Sequence, residues 1–305
     1  MKKLLIIIIT FTMFIVSANA KPKKKYLALG DSITFGYGLD DNDENFASIF
    51  SKKHNLELTN EAVSGDETID LLNKLPNYNI NDYDVITLCI GANDVLGEFL
   101  DDIEGKSTLE IIEYIMNLDN NEDFQNRVNN KLEQFKINLE KIMDILKKGH
   151  AQIYLMNIYN PYNRFSLEAL DNHANKFVKR INEVIEEYKK DTYFINLYKK
   201  FDSSKKELIN SQTTRTNYTT DPHPSPEGHK FISELLSNEY ELHNFETTYI
   251  ILTIIFGLLV VLLELFEILY TFKKFNIKID KNVDMKPKIK LNDNEEKTSS
   301  RFIRS

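Results

Sequence analysis

The run Val85-Ile86-Thr87-Leu88-Cys89-Ile90 has apolar residues on both parities. A strand with one wet face alternates apolar and polar side chains, so a strand like this one must be covered on both faces. Few architectures allow that, and the foremost is a parallel sheet held between two layers of helices. Four more short apolar runs accompany it: Tyr26–Leu29, Leu56–Asn60, Gln152–Asn157 and Tyr193–Leu197. Between them the pattern turns helical, over Asn45–His54, Thr68–Lys74, Asn121–Lys148, Ser166–Lys190 and Pro226–Asn238. In the longest of these, Val128, Leu132, Phe135, Leu139, Ile142 and Leu146 recur at spacings of four and three, which marks one face of a helix. Strands alternating with helices predict a three-layer α/β/α sandwich with a flavodoxin-like, five-stranded parallel sheet.

The two ends of the chain read differently. Residues 1–20 combine Lys2 and Lys3, an apolar run from Leu4 to Val16, and Ala18-Asn19-Ala20. These are the n-region, h-region and small-residue cleavage site of a secretory signal peptide cut after Ala20; an uncleaved N-terminal anchor is the alternative. Residues 247–270 are almost entirely apolar and long enough, about 36 Å as a helix, to cross a bilayer. Glu264 and Glu267 oppose insertion, at roughly 2.5–3.5 kcal/mol each in mid-membrane, but both lie near the Lys273-Lys274 end.

Charge sets the expected orientation. Residues 273–305 carry 10 Lys+Arg against 5 Asp+Glu, whereas residues 21–246 carry 26 against 39. Basic residues beside a span stay cytoplasmic. The expected organisation is a signal peptide (1–20), an extracytoplasmic domain (21–246), one transmembrane helix (247–270) and a basic cytoplasmic tail (271–305). That is a single-pass type I protein of the cell membrane, with a tail too poor in apolar residues for a core and suited to anionic lipid. The net charge of −8 gives no basis for binding nucleic acid, whose affinity rests on neutralising phosphates. The single cysteine, Cys89, excludes an internal disulfide and any Cys-based zinc cluster, and its mid-strand place suggests an inert thiol. His54, His150, His173, His229 and His243 are scattered without metal-ligand spacing and read as surface or structural; no metal or cofactor is expected.

The polar residues gather where such a sheet binds ligands, beyond the carboxyl ends of its strands. Gly30-Asp31-Ser32-Ile33-Thr34 follows the first strand, Ser64-Gly65 the second, and Gly91-Ala92-Asn93-Asp94 the third. The first turn would set Ser32 at a helix N-terminus, where free N–H groups point outward. Asp221-Pro222-His223-Pro224 opens the final helix, bringing an imidazole within reach of the serine. Each residue has a plainer reading. Ser32 would serve as a helix N-cap, Gly65 as a turn glycine and Asn93 as an Asx-turn residue. His223, between two prolines, suits a core poorly. Asp31 and Asp94 read as braces for their turns, and Asp40–Glu44 as a solvated loop near the rim.

In this order, Gly30-Asp31-Ser32, Gly65, Gly91-Ala92-Asn93-Asp94 and Asp221-Pro222-His223-Pro224 resemble the four sequence blocks of the SGNH (GDSL) hydrolases. The resemblance covers roughly residues 25–238. Ala151–Phe165, with Ile158-Tyr159-Asn160-Pro161-Tyr162, is also similar to lipase/acylhydrolases of Gram-positive bacteria. It implies a serine esterase or lipase-type acylhydrolase without metal or cofactor. Ser32 would be the nucleophile, His223 its general base, and the N–H groups of Ser32 and Gly65 with the Asn93 amide the oxyanion hole.

One position departs from the family. Its acid usually stands three residues before the histidine, where this chain has Thr220; Asp221 stands two before. Either the short Asp-Pro-His segment brings the Asp221 carboxylate to His223, or a backbone carbonyl orients His223 and Asp221 caps the helix.

Residues 95–120 would form either an apolar wall or lid over the acyl pocket, with Leu96 and Phe99 against the substrate, or extra helix packed on the core. Tyr159 and Tyr162 are further candidates for the pocket lining. The expected substrate is an ester, either a lipid or an O-acylated glycan, and the membrane is a partner through the C-terminal helix. A carbohydrate O-deacetylase or acyltransferase of the same family, and a non-catalytic surface binding protein, are the alternatives.

Overall fold

The computed structural model describes residues 22–41, 44–163, 168–213, 218–219 and 221–283. The expected signal peptide, the tail from residue 284 onward, Asn42, Asp43, Thr220 and the first residues of the helix expected from Ser166 lie outside them.

Five strands form one parallel sheet: β1 (Lys25–Gly30), β2 (Glu57–Asn60), β3 (Val85–Cys89), β4 (Gln152–Met156) and β5 (Tyr193–Ile195). Their order is β2-β1-β3-β4-β5, with β1 central enough to pair with both β2 and β3. All five residues of β3 are buried, as its two apolar parities require. The first three strands are joined through α1 (Ser32–Phe35), α2 (Phe46–His54) and α3 (Thr68–Lys74). Beyond β3 come α4 (Asn93–Ile103), α5 (Thr108–Met116) and the long α6 (Glu122–Leu146); α7 (Glu168–Glu186) and α8 (Leu197–Ser203) flank β5. A two-stranded hairpin, β6 (Gln212–Thr213) with β7 (Tyr218–Thr219), precedes the last helix, α9 (Pro226–Val283).

Helices cover both faces of the sheet. On one side α6 packs with α3, α4 and α7, and its six-residue apolar stripe, Val128 through Leu146, is buried along its whole length. On the other, Tyr26 of β1 meets Phe50 of α2 edge-on at 5.3 Å, and Phe50 meets Tyr240 of α9 in the same way. Local signals set the helix ends. Asn45 caps α2 by accepting from Ser48 N at 2.8 Å, Asn121 caps α6 by accepting from Phe124 N at 3.0 Å, and Asn55 closes α2 in the left-handed region at φ 53°.

Residues 95–120 form two helices, not one. Val95 and Ile115 turn into the core with Leu118, while Leu100, Leu109, Ile112 and Met116 are exposed. Arg127 of α6 holds α4 through Glu98 at 2.7 Å and Asp102 at 2.5 Å. The segment is therefore a packed helical pair with one apolar face left outward.

The chain divides into two compact units, meeting between Leu242 and His243. In the second unit the helix keeps its large apolar side chains outward, Tyr249, Ile250, Phe256, Leu262 and Phe266 among them. It is long and apolar enough to cross a membrane, and it continues past Tyr270 to Val283.

Candidate active site

Ser32 is the first residue of α1, directly beyond the carboxyl end of β1. The N-cap is its neighbour Asp31, whose Oδ1 accepts from Ile33 N at 3.0 Å. Capping by Asp31 leaves the Ser32 hydroxyl for another partner, and Oγ lies 3.0 Å from His223 Nε2. The turn that makes this possible begins at Gly30, at φ +156°. A Cβ there would meet the Cys89 carbonyl oxygen and Thr34 Oγ1, each at 2.3 Å.

On the far side of the imidazole, Nδ1 lies 2.5 Å from Asp221 Oδ1. The same oxygen accepts from His223 N at 3.1 Å, so Asp221 closes a turn on its own histidine. The two-residue spacing thus brings carboxylate and ring together. Asp221 does not cap α9: Ser225 does, its Oγ accepting from Gly228 N at 3.1 Å. With Nδ1–H directed at a carboxylate, Nε2 is left as the acceptor for the serine O–H.

The Asp221–His223 segment is braced on several sides. Asn210 Nδ2 donates to Asp221 Oδ2 at 3.1 Å, and Asn210 N to the His223 carbonyl at 2.9 Å. Tyr159, only 2% exposed and stacked on Phe201 at 4.4 Å, donates its hydroxyl to the Pro222 carbonyl at 2.8 Å. Tyr159 therefore lies beneath the histidine segment, with its hydroxyl engaged by backbone. The Tyr37 ring lies against the His223 ring, with centroids 4.6 Å apart.

Gly65 occupies a turn closed by Asp66 N donating to Val63 O at 3.2 Å, and has φ +87°. The space a Cβ would take there is open, so the backbone angle and not packing is what favours glycine. Among the described residues the N–H groups of Ser32 and Gly65 donate to no partner. Asn93 opens α4, and its Nδ2 donates to the Asp66 carbonyl at 3.0 Å, which leaves that amide a second N–H.

A reciprocal link lies behind. Thr68 N donates to Asp94 Oδ2 at 3.0 Å, Thr68 Oγ1 bonds Asp94 Oδ1, and Asn138 Nδ2 reaches Thr68 Oγ1 at 3.3 Å. The Gly65 and Asn93 loops are thereby stitched to each other from beneath.

The floor of the site is buried and acidic, with Asp31, Asp66 and Asp94 all buried. Burial, reinforced by the charges of Asp94 and Asp66, pushes the Asp31 carboxyl up to about 7 against its bond from Ile33. Burial likewise raises Asp94 to about 6 despite the bonds from Thr68. Cys89, buried beside Asp31, has its thiol pushed well up and is inert by that measure. His229 is fully buried, accepts from Phe46 N at 3.4 Å and is lowered to about 4 by burial and by the nearby His223.

Leu96 and Phe99 are half-buried on α4, downstream of Asn93, and Phe99 packs on Tyr114 at 6.1 Å. Tyr162 is half-buried in the turn after β4, its N–H donated to Asn160 Oδ1 at 3.0 Å. No group of three His, Cys, Asp or Glu side chains among the described residues is arranged to hold a metal ion. Sequence reasoning missed Asn210, Tyr37 and the bracing contact of Tyr159. Asn210 stands eleven residues before Asp221, beyond a hairpin, where no spacing rule points to it.

Comparison with known proteins bears on the family and the fold. The model of the GDSL-like lipase/acylhydrolase family matches residues 28–231. An extracellular lipase from Streptomyces rimosus superposes with a TM-score of 0.55 at 19% identity, covering 71% of this chain and 99% of that one. A phospholipase A1 from Streptomyces albidoflavus NA297 does so with 0.55 at 16% identity, covering 72% and 100%. At such identities the likeness establishes the fold. No curated protein matches the chain by sequence.

Proposed function

The chain belongs to the GDSL-like lipase/acylhydrolase family and is an ester hydrolase, and we propose that it is a membrane-anchored, extracytoplasmic serine esterase working through an acyl-enzyme. Ser32 Oγ attacks the ester carbonyl while His223 Nε2 takes its proton, and Asp221 stabilises the imidazolium that forms. The tetrahedral oxyanion is held by the N–H groups of Ser32 and Gly65 and by the Asn93 amide. His223 then protonates the departing alcohol. A water, deprotonated by the same nitrogen, attacks the acyl-enzyme, and Ser32 recovers its proton as the acid leaves.

The observation that carries this reading is the unbroken series Ser32 Oγ, His223 Nε2, His223 Nδ1 and Asp221 Oδ1, with steps of 3.0 and 2.5 Å, at the carboxyl edge of the sheet. Anchoring is supported by the exposed apolar helix after residue 247, and the type I orientation by the basic residues that follow it. The same orientation, with residues 1–20 as a signal peptide, puts residues 21–246 outside the cytoplasm.

A second reading of the substrate is an O-acyl group on a glycan instead of a lipid, since the same Ser32–His223–Asp221 series serves either ester. The test is hydrolysis of nitrophenyl esters from acetyl to dodecanoyl by the full-length protein in detergent micelles, with Ser32→Ala beside it. Ser32-dependent turnover is expected. A maximum at acetyl supports glycan deacylation and a maximum at long chains supports lipid. No Ser32-dependent turnover at any length, from folded protein, would favour a binding role.

A further inference from the structure

The acid–histidine pair of this chain is one residue closer in sequence than the family's usual spacing, so the Asp221 carboxylate must reach His223 across a single proline. Its two oxygens have separate partners. Oδ1 serves His223, through Nδ1 at 2.5 Å and N at 3.1 Å, whereas Oδ2 accepts from Asn210 Nδ2 at 3.1 Å. A carboxylate turns about its Cβ–Cγ bond with little resistance. A donor on Oδ2 stops that turning and leaves Oδ1 aimed at the ring.

Asn210 is well placed to be that donor. Its backbone N–H holds the His223 carbonyl at 2.9 Å, so one residue grips both ends of the Asp-Pro-His segment. Its own segment is fixed by the isolated bridge between Ile209 and Pro224 and by Ser225 N donating to Leu208 O at 2.9 Å. The nucleophile's loop closes over the pair: a Cβ built on Gly38 would lie 3.8 Å from Asp221 Oδ2 and 3.9 Å from Asn210 Nδ2. The amide is uncharged, so it orients the carboxylate without the competing pull on the imidazolium's partner that a lysine or arginine would exert.

We propose that Asn210 is a positioning residue that adapts the shortened Asp-x-His spacing to catalysis by fixing the rotation of the Asp221 carboxylate. The proposal rests on the reading of Ser32, His223 and Asp221 as the catalytic machinery. Asn210 acts only through Asp221, so its removal lowers kcat, leaves KM nearly unchanged and has no effect once Asp221 is gone.

The experiment compares full-length wild type, Asn210→Ala, Asp221→Ala, the double variant and Ser32→Ala in detergent micelles, on the nitrophenyl ester turned over fastest. Asn210→Ala is expected to lower kcat about tenfold, the effect of one hydrogen bond to a charged group, with KM within about twofold. The double variant is expected to match Asp221→Ala. A further tenfold loss in the double variant, or a change confined to KM, would overturn the proposal. Asn210→Asp, which keeps the size and the backbone bond but sets a second carboxylate on Oδ2, guards against misfolding of the alanine variant. It is expected to be slower than wild type, and wild-type kcat there would also overturn the proposal. Ser32→Ala with undiminished turnover would remove the underlying reading itself, an outcome distinct from Ser32-dependent turnover with additive losses.

Discussion

Ser32, Gly65 and Asn93 stand on loops that leave three neighbouring strands of the sheet, and Thr68, Asp94 and Asn138 tie two of those loops together from beneath. His223 and Asp221 stand on a loop that leaves no strand of that sheet. Asn210, Tyr159 and the backbone around Leu208 hold it instead. The first half inherits its geometry from the core and its buried polar links. The second is assembled from a few hydrogen bonds between irregular segments. On the proposed reading, the parallel sheet and its buried polar links set the nucleophile and the oxyanion donors, while the general base depends on braces particular to this chain.

Substitutions in the two halves should behave differently. If Asn93 holds the oxyanion as proposed, Asn93→Ala removes a donor to developing charge and is expected to lower kcat by about 10²–10³-fold. Steady-state kinetics on the full-length protein checks this, and a loss below about fivefold would mean that Asn93 only braces its loop.

Next in size is a pH effect under the histidine half. His229 has a folded value of about 4 against an ordinary 6.5, so the unfolded chain binds the extra proton first. Its contribution to stability is present above about pH 6.5 and is lost as the pH falls toward 4, on the order of 3 kcal/mol in all. Melting temperatures from pH 7 to 4 should fall less steeply in His229→Gln than in wild type. Parallel slopes would show that His229 carries none of this dependence.

The smallest effect is expected at Tyr159→Phe, which removes the bond to the Pro222 carbonyl and keeps the stacked ring. A loss of about 1 kcal/mol in stability, with a few-fold lower kcat, is expected from thermal melts and kinetics on one preparation. If kcat does not change, the brace does not reach the histidine.

The same contrast explains what could be read in the sequence. Strand β3 announced itself because burial on both faces leaves no room for polar residues, and the stripe from Val128 to Leu146 because a 25-residue helix repeats its pattern many times. The place of Ser32, Gly65 and Asn93 at the carboxyl edge of the sheet was legible because each follows a legible strand. The break at residues 104–107, which makes two helices of 95–120, was not: Gly105 supplies only a weak stop, and the capping box of Ser107 and Glu110 was needed to restart the helix. Asn210 was illegible because its partner lies across a hairpin, and nothing local in an asparagine tells which loop it will meet. Tyr159 looked like pocket lining because aromatic residues past a strand end often are. Its ring went to Phe201 and its hydroxyl to the Pro222 carbonyl.

Catalysis in this scheme depends on Ser32 as the nucleophile. The most direct test is to treat the full-length protein in detergent micelles with a fluorophosphonate and follow intact mass and ester turnover together. One phosphonyl adduct per chain, located on Ser32, absent from Ser32→Ala and appearing at the rate at which turnover disappears, is the predicted result. Turnover that persists once Ser32 is fully modified, or an adduct on another residue that tracks the loss of activity, would contradict it.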